Sequence, residues 1–321
     1  MFRAEIAWEG GSMRTYRWAM IAMFVGMLFP VAAAGQQSAP GGAAPKDQSA
    51  PTGDPIIVTG RPLPPKDEIK SLTHAITPYA PDGTLPRFNA SVCFGSGGLP
   101  RRTLEDVGAR LALDAELAGL KLAGDGCKPN VFVLFVDGVA GEVAKLVQRK
   151  WWVFGDRSPS EIRDIVRERG PVRAWSNNEI RGADGQVLGP DGVLRVPVAT
   201  RIAPSIRRDM LAAIVVIERS AVVGKTPNQI GDYVAMRALG GVRPPRTGTN
   251  ETILALFDPR TTEAPAEMTA FDRGYLRGLY YARSTEFASV TRGRIVRGIL
   301  KEKDAEAARA GRQTESLSPS P

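Results

Sequence analysis

Residues 212–241 read AAIVVIERSAVVGKTPNQIGDYVAMRALGG, and the order of residue types in this stretch sets the class of fold. Ala213, Ile214, Val215, Val216 and Ile217 form an apolar, mostly β-branched run too short for a helix. Glu218-Arg219-Ser220 ends it, as expected of a strand buried on both faces. Thr226, Pro227 and Gln229 then supply an N-cap, a first-turn proline and a T-x-x-Q capping box. Gly240-Gly241 provides the stop. Ile230, Val234 and Ala238 fall on one stripe with Tyr233 beside them, which reads as a core-facing helix.

Outward from this strand and helix, the chain has the composition of a globular protein. It is 321 residues long, 43% hydrophobic and 24% charged, with a formal charge of +8, which excludes the disordered and fibrous classes. Upstream, Ser91–Phe94 reads as a strand and Thr103–Leu117 as a helix burying Leu104, Val107, Leu111 and Ala115. Asn130–Val136, NVFVLFV, is the most apolar run and the expected centre of a sheet. A helix over Ala140–Lys150 follows, then Trp151-Trp152 as a packing anchor, and a short helix over Ser160–Arg169. Val172–Ser176 and Val193–Val198 read as the arms of a hairpin whose tip carries Asp-Gly turns. Beyond residue 241, Glu251–Phe257 suggests a helical turn, Thr269-Ala270-Phe271-Asp272 is a second capping box, and Thr285–Lys301 reads as a basic helix. Its Arg292, Arg294 and Arg297 read as a solvated face, and the scarcity of interleaved aromatics argues against nucleic acid.

The N-terminus carries an export signature. After an upstream extension over 1–12, Met13 precedes Arg14 and Arg17, then the apolar run Trp18–Val31, then the A-x-A site Ala32-Ala33-Ala34. Removing residues 1–34 takes away three arginines and two glutamates and leaves +7. The apolar run is too short to remain as a membrane span, so none is expected after cleavage, and a periplasmic or secreted location follows. Residues 35–54 are rich in Ala, Pro, Gly, Gln and Ser and read as a flexible tether, and Pro55–Arg61 reads as a short extended piece, so 35–63 is expected to be a disordered or extended linker. A globular α+β domain is expected over 64–303, with a break between 64–170 and 171–303 as the place where it would divide, and a disordered tail over 304–321. The two cysteines, Cys93 and Cys127, are expected to form a disulfide in an oxidising compartment.

The order of signal segment, disulfide-bearing unit, apolar strand, DYVAMRALGG and FDRGYLRGLYY resembles an uncharacterised family of exported bacterial proteins over about residues 90–300. Over about 212–283 it is also similar, more distantly, to secreted zincin-type metallopeptidases. Those enzymes place an active-site helix after an edge strand and open a later helix on a Thr-x-x-Asp turn. The resemblance implies a mixed sheet with flanking helices, a zincin-like strand-to-helix core in the C-terminal half and a helical C-terminus. It does not extend to the chemistry. Zincins hold zinc with two histidines one turn apart and use an adjacent glutamate. The corresponding positions here are Gly231, Asp232 and Ala235, or Tyr233, Val234 and Arg237 in the other register. The single histidine, His74, lies far upstream, which also removes Ser-His-Asp and Cys-His sites.

No metal or cofactor is therefore expected. One reading is a noncatalytic envelope protein that binds a peptide or protein in a groove between the 213–217 strand and the 227–239 helix, with Tyr233, Arg237 and Tyr280 as lining residues; an anionic envelope polymer is a further partner. The alternative is a hydrolase working through carboxylates alone, with Asp232, Asp272 and Glu251 as its candidates. Export predicts a mature chain that begins at Gly35, which intact-mass measurement of the envelope-fraction protein checks. Retention of residues 13–34 would contradict it.

Overall fold

The computed structural model describes residues 65–80, 83–189, 191, 193–194, 203–261 and 263–316. The signal segment and the linker lie outside the described residues. Helix α1 spans Lys66–Ile76, strand β1 Phe94–Gly97, α2 Arg101–Ala118, β2 Val131–Val136, α3 Val139–Arg149 and α4 Pro159–Arg167. They are followed by β3 Val172–Gly182, β4 Ile206–Glu218, α5 Pro227–Ala238, α6 Ala270–Tyr280 and α7 Ala288–Ser316. The class is α+β: among the described residues, four strands in the order β1-β2-β4-β3 form a mixed sheet, with seven α-helices around it. β1, β2 and β4 run parallel, and β3 is antiparallel to β4. β1 and β2 precede residue 170 and β3 and β4 follow it, so the two segments share one sheet.

The apolar run at 213–217 sits beside β2, Val133 opposite Val215, and is covered on both faces. Side chains alternate across a strand, so two cores arise from the same residues. Val131, Val133 and Phe135 of β2 and Ala213, Val215 and Ile217 of β4 join the larger core with α1, α2, α5, α6 and α7. Ile214, Val216, Phe132 and Leu134 face the smaller core under α3 and α4. There Phe154 stacks on Trp175, with ring centroids 4.9 Å apart, and the Trp175 indole donates to the Val153 carbonyl.

Four sequence expectations change. Val172–Ser176 pairs with Ala213–Ile217, because β4 begins at Ile206 and its long antiparallel edge with β3 offers a continuous ladder. Val193 and Leu194 belong to no strand, and residues 195–198 lie outside the described residues. Trp151 and Trp152 are 66% and 64% exposed; the packing anchor of this segment is Phe154, two positions on. The first strand starts at Phe94 rather than Ser91, and Val92 forms only an isolated bridge to Leu122. Helix α7 continues through residues expected to be a disordered tail, and its ion pairs to α6 supply the reason. Glu302 pairs with Arg277 and Glu306 with Arg273, the latter at 3.0 Å, which docks the helix beyond residue 301.

Helices α6 and α7 approach closely because glycines line the contact. A Cβ on Gly274 or Gly278 would lie 2.4 Å from the Cα of Ile299 or Ile295 respectively, well inside van der Waals contact. Among the described residues no helix is long and apolar enough to cross a membrane.

Cys93 and Cys127 form a disulfide with their Cα atoms 6.2 Å apart. It ties the entry of β1 to the loop before β2, across a sequence separation of 34. In the chain-entropy treatment a loop of that size stabilises by about 3–4 kcal/mol. A Cys93→Ser/Cys127→Ser variant is expected to lose that amount in urea denaturation, and the unreduced native protein should resist thiol labelling. Ready labelling without reductant would contradict the bond.

Candidate functional site

The carboxylates singled out from the sequence all lie on or beside the contacts of α5, α6 and α7. α5 begins as its sequence predicts: Gln229 N–H donates to Thr226 Oγ1 and Thr226 N–H to Gln229 Oε1, each at 3.1 Å. Every residue from Ile230 to Ala238 is buried, so the helix is covered all round rather than along one stripe. The sheet, α2 and the 3-10 turn at Ile253–Phe257 all pack against it. At Gly231 an added Cβ would lie 2.8 Å from Arg110 Cβ and Cγ. The missing side chain lets α2 come close enough for Arg110 to reach the next residue, Asp232.

Asp232 is fully buried. Its Oδ1 accepts from Arg110 Nε at 2.5 Å, its Oδ2 from Arg110 Nη2 at 3.0 Å, and the Met268 backbone N–H also donates to Oδ2. A fork-to-fork guanidinium–carboxylate pair with a backbone donor added is the well-satisfied form of a buried charge. Beside it lies Asp114 of α2, itself buried, whose Oδ1 is 3.7 Å from Arg110 Nε. Burial pushes the Asp114 carboxyl up to about 8, and the neighbouring Asp232 charge and a hydrogen bond to it push in the same direction. Among the described residues Asp114 Oδ2 has no hydrogen-bond donor. Burial next to the Asp232 charge therefore favours the protonated form of Asp114.

Asp272 is also fully buried. Oδ1 accepts from Thr252 Oγ1 at 2.5 Å, and Oδ2 accepts from the Ile253 and Thr269 N–H groups at 2.8 and 3.0 Å. The side chain closes the capping box of α6 and also anchors the Ile253–Phe257 turn. Burial raises its titration to about 6 against those donors. Glu251, half-buried, accepts from Lys303 Nζ of α7 at 2.6 Å. Thus Asp232, Asp272 and Glu251 are each held in a different internal contact.

The residues expected to line a groove between the 213–217 strand and α5 are built into the interior, which corrects that reading: strand and helix are both covered, and the space between them is filled core. Tyr233 is 2% exposed and meets Phe257 edge to face. Arg237 is 4% exposed and donates to Glu168 at 3.0 Å, tying α5 to the end of α4. The half-buried Tyr280 donates its hydroxyl proton to the Leu239 carbonyl at 2.8 Å. His74 is exposed in the last turn of α1. Among the described residues no three His, Cys, Asp or Glu side chains gather as a metal ion would require.

Sequence reasoning missed Arg110, Asp114 and Arg87. Asp114 falls three residues after Leu111 and beside Ala115 on the buried stripe of α2, and a charged residue in an apolar stripe was the available signal. Arg87 gave none: it is buried and donates to the Leu279 and Ala282 carbonyls at 2.6 Å each, capping the C-terminus of α6 from almost two hundred residues away. Comparison of the chain with protein-family models, with curated proteins and with solved structures finds no match.

The Asp114–Asp232 pair predicts a pH dependence. A carboxyl that binds its proton more tightly when folded stabilises fully below its ordinary value of 3.8, and the contribution is lost as pH rises through its folded value. Asp272 acts with the same sign but only up to about 6. Between pH 6 and 8 the stability of the native protein should therefore fall more steeply than that of Asp114→Asn, which keeps a neutral donor toward Asp232. Urea denaturation at the two pH values checks this, and parallel losses would show that Asp114 does not hold the proton.

Proposed function

We propose that this protein is a noncatalytic exported binding protein, a scaffold that recognises a peptide or protein partner. The observation that carries the reading is the state of Asp232 and Asp272, whose carboxylate oxygens are all engaged by internal donors at full burial. A general acid or base must come within about 2.6–3.2 Å of the proton it moves on a substrate. These two carboxylates are enclosed by the protein itself. The zincin relationship belongs to the same proposal. It rests on the succession of β4, α5 and an α6 opening on Thr269-x-x-Asp272; β4 departs from the zincin pattern by lying between β2 and β3 rather than at the sheet edge, and neither helix carries a histidine. Export is supported by Arg14, Arg17 and Ala32-Ala33-Ala34, and by a disulfide of the kind that persists in oxidising compartments. With the space between β4 and α5 filled, recognition falls to the outer surface, where the Trp151-Trp152 pair is exposed.

The test is a panel of peptide, ester and glycoside substrates, run on the full chain beside Asp232→Asn and Asp272→Asn, with zinc analysis of the same preparations. The proposal expects no turnover above the variants and no stoichiometric zinc. Turnover that either substitution removes at unchanged melting temperature, or one zinc per chain lost with Asp232→Ala, would overturn it in favour of a hydrolase.

A further inference from the structure

The glycines that bring α6 and α7 together also shape a cavity on their outer face. Gly278 and Gly298 form part of its lining, and the backbone approach at this point is close enough that a Cβ on Gly298 would lie 2.6 Å from the Gly274 carbonyl oxygen. Where those side chains are missing, a cavity of about 420 Å³ opens, within the size range of small-ligand sites. Its walls are set by helical spacing. Arg294, Arg297 and Lys301 follow one another at three and four residues along α7, on one stripe, and Arg277 and Tyr281 stand one turn apart at the end of α6.

The charges in this cavity are only partly spent. Arg277 pairs with Glu302, and Arg294 donates to both oxygens of Glu286 at 3.0 and 2.8 Å. Arg297 and Lys301, both exposed, have no ion-pair partner among the described residues. Like charges at this i,i+4 spacing disfavour a helix, and their meeting over a concave floor is what an anion site requires. Two unspent positive charges match a phosphomonoester, which carries about −1.5 to −2 near neutral pH and suits the guanidinium fork. Tyr281, 74% exposed at the rim, offers a ring face for an organic group attached to the phosphate.

We propose that the α6/α7 cavity binds a small phosphomonoester, with Arg297 and Lys301 on the phosphate and Tyr281 against its organic group. The site shares no residue with the Asp114–Asp232 pair and does not depend on the export reading. Calorimetric titration of the full chain with phenyl phosphate, inorganic phosphate and benzoate at fixed ionic strength tests it. Saturable one-site binding of phenyl phosphate is expected, at least tenfold weaker in Arg297→Ala and in Lys301→Ala at unchanged melting temperature. Tyr281→Ala should reduce phenyl phosphate to the affinity of inorganic phosphate. Flotation with phosphatidylcholine vesicles, with and without phosphatidic acid, separates the sources: capture dependent on phosphatidic acid and on Lys301 assigns the phosphate to a lipid headgroup, and binding of phenyl phosphate alone assigns it to a soluble ligand. Absence of saturable binding in both arms, benzoate binding as tightly as phenyl phosphate, or full affinity in Arg297→Ala/Lys301→Ala would overturn the proposal. Because no arm reads turnover, its failure is distinguishable from that of the noncatalytic reading.

Discussion

The pairing of Arg110 with Asp232 is the contact on which the arrangement of the larger core depends. α5 is covered on every side, yet it buries Arg237 near its end and the carboxylate Asp232 at its centre, and a buried carboxylate without a partner would be shifted to its neutral form or would destabilise the fold by several kcal/mol. Arg110 reaches it only because Gly231 lets α2 approach, and the Met268 N–H completes the site from the chain entering α6. A single carboxylate thus holds three segments that are distant in sequence. Burial and the neighbouring Asp232 charge both favour the protonated form of Asp114 beside the pair, which limits the like charge gathered there.

The same logic recurs around the fold. Asp272 joins the start of α6 to the Ile253–Phe257 turn, Arg87 closes the other end of α6, and Arg237 ties α5 to Glu168 at the end of α4. Each is a charged or polar group placed where a helix end or a helix crossing leaves backbone groups or charge in need of a partner. Such groups fix which helices meet and in what register, while the apolar alternation of β2 and β4 supplies the area buried on either face of the sheet. These groups are engaged in internal contacts, while Arg297 and Lys301 lie outside the core on the face shared by α6 and α7.

Local rules made much of this legible. The capping boxes at Thr226 and Thr269, the apolar runs at 131–136 and 213–217 and the two cysteines all act over short distances or by a chemistry with one available pair. What could not be read was pairing across the chain. The hairpin partner of Val172–Ser176 was misplaced because the strand signal of β4 is strongest in its second half, while its first half, IRRDM, looks polar. α5 was read as one stripe because nothing local says that a third layer covers the side carrying Asp232 and Arg237. The docking of the segment beyond residue 303 was not legible because Glu306 shows no local sign of its partner, Arg273 on α6.

A double-mutant cycle at Arg110 and Asp232 tests this account most directly, with stability measured by urea denaturation of Arg110→Ala, Asp232→Ala and the pair. Removing one partner of a buried ion pair costs about 3–5 kcal/mol, and the second removal then costs much less because it relieves the charge left behind. The account predicts a coupling of at least about 2 kcal/mol. Costs that add to within about 0.5 kcal/mol would contradict it and leave α5 held by apolar packing alone.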